Sequence, residues 1–159
     1  MPEPQLKKFG NLVTAHLEPD ERLLDIGVVQ PLRGAGAVGL GTPRVLGEAI
    51  AQMGAVKGGR GSIGDGFPHD LPIGTDLLCV TDRRVLFLYT DPARKTAQLL
   101  WHAPQATVVK IERRPRLQVM AKFRLHFEDG SSVSVLTMRR RTIESLAAAL
   151  DSQHDGHSK

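Results

Sequence analysis

From residue 76 to residue 150 the chain alternates short apolar runs with tight polar turns and closes with one amphipathic segment. Period-2 alternation marks half-buried strands, so this order of segments predicts a small antiparallel β architecture capped by a helix. The first run is Asp76-Leu77-Leu78-Cys79-Val80-Thr81, followed by polar Asp82-Arg83-Arg84 and then by Val85-Leu86-Phe87-Leu88-Tyr89. Asp91-Pro92 is a turn signal, with Asp at the first turn position and proline supplying the fixed φ of the second. Runs at 97–102 and 107–113 follow, separated by Pro104, which has no N–H for a sheet ladder. The longest alternation, 117–127, sets Leu117, Val119, Ala121, Phe123, Leu125 and Phe127 on one face. Gln118, Lys122, Arg124 and His126 take the other face, and Arg113, Arg114 and Arg116 fall in the preceding turn. Glu128-Asp129-Gly130 reads as a hairpin turn because Asp-Gly tolerates positive φ, and residues 132–138 pair back.

Thr142 is placed to cap a closing helix, along which Ile143, Leu146, Ala147 and Leu150 form one apolar stripe. Such a stripe needs a surface to cover, and the end of a closed β shell supplies one. Beyond Ser152 the apolar period stops, so the last residues, 154–159 above all, are expected to form a disordered tail.

Upstream, Leu6, Phe9, Val13 and Leu17 share one face of a short helix stopped at Glu18-Pro19. Residues 23–30 read as the first strand, with Ile26 and Val28 facing the same way. Eleven of the sixteen glycines then lie between Gly34 and Gly66. Inside that stretch Thr42-Pro43 resembles a helix start, and Val45, Leu46, Ala49, Ile50, Met53 and Val56 continue as an apolar face. Lys57-Gly58-Gly59-Arg60-Gly61-Ser62 has the composition of a flexible linker. Residues 34–75 are therefore read as a Gly-rich insertion carrying one helix, within a single domain spanning 1–153.

Two segments, Leu17-Glu18-Pro19-Asp20-Glu21-Arg22-Leu23-Leu24 and Leu78-Cys79-Val80-Thr81-Asp82-Arg83-Arg84-Val85-Leu86-Phe87, carry a likeness to a known family. The second resembles the hairpin "apolar run, Thr-Asp-x-Arg, apolar run" of the bacterial pleckstrin-homology-like (PH/GRAM-like) domains. That resemblance implies a mainly β fold, a seven-stranded antiparallel barrel or sandwich with a C-terminal capping helix. It also implies a non-catalytic interaction module. In that family, basic residues near the hairpin after the first strand often bind phosphoinositide head groups. Here the Gly-rich insertion replaces that hairpin, with Arg33, Lys57 and Arg60 nearby, so the family's lipid pocket is not expected in its usual place.

Composition narrows the function further. A chain of 159 residues with 41% apolar content suits one domain with a real core. One cysteine cannot form an internal disulfide, and Cys79 sits in a strand pattern as a packing residue. With no signal-peptide pattern behind Met1-Pro2-Glu3-Pro4 and no apolar run long enough to span a bilayer, a cytoplasmic setting is expected. Gly34-Ala35-Gly36-Ala37-Val38-Gly39 matches a dinucleotide fingerprint literally, but no acidic residue occurs at 54–64, and antiparallel strands follow. No cofactor is expected. The histidines lack metal-ligand spacing and no serine stands in a nucleophile elbow, so no enzyme is expected either.

The net charge is +4, and the surplus is concentrated late in the chain. Arg83, Arg84, Lys110, Arg113, Arg114, Arg116, Lys122 and Arg124 are the candidate residues for binding an anion or a partner. Arg139-Arg140-Arg141 adds to the basic surplus. Aromatics make up only 4% of the chain, too few for the stacking platforms of single-strand nucleic-acid binders. The expected partner is therefore a protein, with a peripheral anionic membrane as the alternative. Free sheet edges leave a homo-oligomer open.

Overall fold

The computed structural model describes residues 3–32, 55–69, 71–91, 93–117 and 120–157, with side chains for 7–32, 55–69, 71–91, 93–114 and 120–152. In chain order these form α1 (Glu3–Thr14), β1 (Leu23–Pro31), β2 (Val56–Lys57), α2 (Ile63–Gly66), β3 (Thr75–Thr81), β4 (Arg84–Asp91) and β5 (Thr96–Pro104). A 3-10 turn at Gln105–Thr107 leads into β6 (Val108–Leu117), β7 (Met120–Phe127), β8 (Ser132–Thr137) and α3 (Arg140–His157).

Every strand pairing is antiparallel, in the order β5-β4-β3-β1-β8-β7-β6, with β2 added beside β8. Strand β1 belongs to both halves: residues 23–29 pair with β3, whereas Gln30 and Pro31 pair with β8. One strand thus turns the corner between two sheets, giving a sandwich. Among the described residues β5 and β6 do not pair, so the expected closed shell is corrected to an open one. Closure demands a matched register on every strand, and both edge strands carry irregularities instead. Leu100 is an extra residue on β5 opposite Phe87 and Leu88, and β6 is irregular at both ends.

The sheet buries one face on each side. Phe123, Leu125, Phe127, Val133, Val135, Phe87, Leu78 and Val80 meet between the sheets with Ile143, Leu146 and Leu150 of α3. The opposite face of β1, β3 and β4, with Ile26, Leu77, Cys79, Leu86 and Leu88, is covered by Phe9 and Val13 of α1. Cys79 is a packing residue, as its place in the alternation predicts.

Four sequence expectations change. The 117–127 run is two strands, since β6 continues through Arg113 and Arg114 to Leu117 and β7 starts at Met120. Pro115 is tolerated there because β6 is an edge strand, and the register shifts between Arg114 and Leu117. Thr142 lies within the first turn of α3 rather than capping it, its N–H donating to Arg139 O at 3.1 Å. The expected tail is helical to His157, so α3 outlasts its apolar stripe.

The fourth change concerns 55–69. Val56 and Lys57 form β2, and 58–62 is a built turn rather than a linker, with Gly58 at φ +133° and Gly61 at φ +86°. Ser62 caps α2 by accepting from Asp65 N–H, and Phe67 inserts into the core. Its ring lies 5.2 Å from Phe87, 5.0 Å from Trp101 and 5.9 Å from Phe127. The insertion helix expected from Thr42-Pro43 onward and the glycine motif at 34–39 lie outside the described residues, as does Arg33.

Candidate anion-binding face

Alternation on β6 and β7 assembles the site. The register pairs Lys110 with His126, Glu112 with Arg124, and Arg114 with Lys122. Because side chains at every second position share a face, these six residues form a two-by-three grid on the outer side of the sheet. Strand β8 extends each row, placing Ser132 beside His126, Ser134 beside Arg124 and Leu136 beside Lys122.

The grid runs from water into cover. Lys110 and Arg114 are exposed, Lys122 is half-buried, and Arg124, Ser132, Ser134 and Leu136 are buried. Cover on the β8 side comes from Leu32, just after β1, and Ala55, just before β2: Leu32 N–H donates to Ser134 O, Ser134 N–H donates to Ala55 O, and Leu32 and Ala55 pack on Leu136. The face is therefore a cationic shelf, open along β6 and shielded along β8.

Four cations share this shelf with one carboxylate. Glu112 receives His126 Nε2 at 2.8 Å and lies 3.6 Å from Arg114 Nη1. The His126 hydrogen bond, followed by the Arg114 charge, holds the Glu112 carboxyl below its usual range. Arg124 donates from Nη1 to Ser132 Oγ at 2.7 Å. Burial lowers the proton affinity of Lys122, and the neighbouring charges of Arg114 and Arg124 lower it further. Burial followed by the charge of Arg114 acts on Arg124 in the same direction. Like charges are thus held together at the border between solvent and the covered part of the sheet.

The other candidates are placed elsewhere. Arg113 points away from the shelf, its Nη1 3.6 Å from Glu144 of α3. Arg84 is committed to the fold: Nε and Nη2 form a two-pronged pair with Glu21 at 2.9 and 2.7 Å. Arg83 lies over the segment before β1, 3.8 Å from Glu18. The backbone of Arg116 belongs to β6, and its side chain lies outside the described set. Of the eight candidates, Lys110, Arg114, Lys122 and Arg124 thus come together. Sequence reasoning set His126 on the face of Lys122 and Arg124 but missed Glu112, although it lies opposite Arg124 in the alternating register of β6. Met138, 63% exposed, and the exposed Arg139, Arg140 and Arg141 follow β8 directly.

Among the described residues no group of His, Cys, Asp or Glu is arranged to hold a metal, and no helix is long and apolar enough to cross a membrane. No family model and no curated protein matches the chain. Among solved structures the chain is similar to the pleckstrin homology domain of USP37, at 13% identity and a TM-score of 0.36. The match covers 52% of this chain and 80% of that one.

Proposed function

We propose that this chain is a non-catalytic binding module in which the shelf of Lys110, Arg114, Lys122 and Arg124 receives an acidic segment of a protein partner. The observation that carries this reading is the crowding of Arg114, Lys122 and Arg124: burial first, and the charge of Arg114 next, lower the proton affinity of both Lys122 and Arg124 on a partly desolvated face. A solvated surface has no need to hold cations this way, because exposed lysines and arginines spread into water at little cost. Shielding along β8 favours a narrow ligand such as an extended peptide, since its carboxylates reach the shelf from the β6 side. A cytoplasmic setting accords with the reading, Cys79 acting only in packing.

A second reading, a peripheral anionic membrane, draws on a different observation. Met138 is exposed beside three exposed arginines, and an apolar side chain among cations suits a lipid interface, where each cation contributes about 1 kcal/mol.

The test measures anisotropy of a fluorescent oligoglutamate peptide alongside co-sedimentation with phosphatidylserine vesicles, at low and high salt. Peptide binding that weakens with salt and is lost in the double variant Arg114→Glu/Lys122→Glu supports the shelf. Vesicle binding that survives that variant and is lost in Met138→Ser with Arg140→Glu moves the function to the membrane reading. Absence of both at low salt removes the anion-binding proposal.

A further inference from the structure

Strand β3 places a carboxylate in a row of core positions. Asp76 shares its face with Leu78 and Val80, which meet Val29, Phe87 and α3 between the sheets. Its cross-strand partners are Val29 on β1 and Tyr89 on β4. The residue is 9% exposed, and Oδ1 is buried without a hydrogen-bond partner among the described residues. An orphaned carboxyl oxygen at the edge of an apolar core calls for an explanation, because burying an unpaired polar atom costs about 1–3 kcal/mol.

The segment joining Phe67 to β3 supplies a setting in which that cost has a use. Several contacts hold the described residues 71–75 of this strap. Leu71 packs on the inter-sheet core, Tyr89 Oη donates to Ile73 O at 2.9 Å, and Thr90 Oγ1 donates to Thr75 O at 2.8 Å. Gly74 is pressed on β4 so closely that a Cβ there would sit 2.5 Å from the Tyr89 ring and 2.6 Å from Thr90 O. Ile73, next to it, is 84% exposed. Asp76 therefore stands where the β3 ladder begins, Thr75 pairing with Thr90 and Asp76 with Tyr89 and Val29, while 71–74 ahead of it lie outside that ladder.

We propose that Asp76 is a proton-controlled latch: protonated, it lets 71–76 lie closed on β4, and ionised, it draws water to the start of β3 and frees the strap. Among the described residues, the titratable and charged neighbours do not supply a counter-charge. On β1 the partner is apolar Val29. On β4, Tyr89 is engaged with Ile73, and Asp91, on the same face as Tyr89, is itself anionic and engaged with Ala93 N–H and Arg94. On the strap, His69 bonds through Nδ1 to Phe67 O at 3.1 Å. Burial alone raises the Asp76 carboxyl, to about 7, which puts the transition at physiological pH. The inference is independent of the cationic shelf and concerns how residues 71–76 are released.

Amide hydrogen exchange on the whole chain tests it, with rates corrected for intrinsic pH dependence and compared at pH 5.5 and 8.5. Linkage predicts that protection of 71–77 and of Thr90 falls roughly tenfold or more at the higher pH. Protection of 121–127 stays constant, and Asp76→Asn abolishes the change. Equal loss of protection in β7, or an unchanged pH response in Asp76→Asn, overturns the latch. Should that variant not fold, the carboxyl carbon resonance of Asp76 in the unmodified protein decides: a midpoint near 7 supports the latch, and one near 4 overturns it.

Discussion

Ser145 Oγ donates to Asp25 Oδ2 at 2.6 Å, joining α3 to the floor of β1 across 120 residues of chain. Asp25 is 1% exposed, and its Oδ1 accepts from Ile26 N–H. Two residues along, Gly27 lets the helix settle: a Cβ there would come 2.7 Å from Thr142 Cγ2 and 2.8 Å from Leu146 Cδ1. Together the hydrogen bond and the missing side chain set how deeply α3 sinks between the sheets.

Gly27→Ala should therefore destabilise by about 1–3 kcal/mol through overpacking. Ser145→Ala, which removes one donor from a buried carboxylate, should cost a similar ~1–3 kcal/mol. Urea denaturation checks both, and a shift of under half a molar in midpoint for either would show that the helix is held mainly by its leucines.

The pair Glu21–Arg84 makes a prediction about acid. Burial pushes the Glu21 carboxyl up, but hydrogen bonds from Arg84, from Thr81 Oγ1 at 2.6 Å and from Glu18 N–H outweigh it and hold the group at about 2. The folded value lies below the ordinary 4.5, so the stabilisation is complete above that pH and disappears as pH falls from 4.5 to 2. At about 1.4 kcal/mol per unit, its upper bound is roughly 3.5 kcal/mol. Glu21→Gln should lower the melting temperature at pH 7 and cost much less at pH 2.5. A penalty equal at both values would remove the ionic explanation.

Phe67→Ala tests whether 55–69 is part of the core. Deleting a ring in contact with Phe87, Trp101 and Phe127 should cost about 3–5 kcal/mol. Trp101 emission should shift to the red, as its neighbour 5.0 Å away is lost. A linker residue would show neither effect.

Lys122→Gln separates binding from folding. Removing one of three crowded cations should leave stability unchanged or raise it, while weakening oligoglutamate binding several-fold. A loss of stability with binding intact would make Lys122 a structural residue.

The boundary between what was legible in the chain and what was not follows from the range of each interaction. Alternation exposed β3, β4, β7 and β8, because a period of two depends only on neighbouring residues. Asp91 and Gly130 were equally readable: Asp91 Oδ1 accepts from Ala93 N–H, and Gly130 adopts φ +86°. The end of β6 was misplaced because Pro115 and the run of arginines look like a turn, and only pairing with Lys122 and Phe123 makes them strand. Phe67 was passed over because a single aromatic among glycines has no local period.

By itself, the order of residues determined the β-rich class, the apolar stripe of α3, and which cations on β7 project outward together. Tertiary structure alone decided that Arg84 belongs to Glu21, that Arg113 turns to Glu144, and that Lys110, Arg114, Lys122 and Arg124 form one shelf. It also decided that, among the described residues, β5 and β6 stay unpaired and Asp76 Oδ1 is buried without a hydrogen-bond partner. Local pattern records what a residue's neighbours in sequence allow, whereas charge partnership and burial arise from groups brought together across strands.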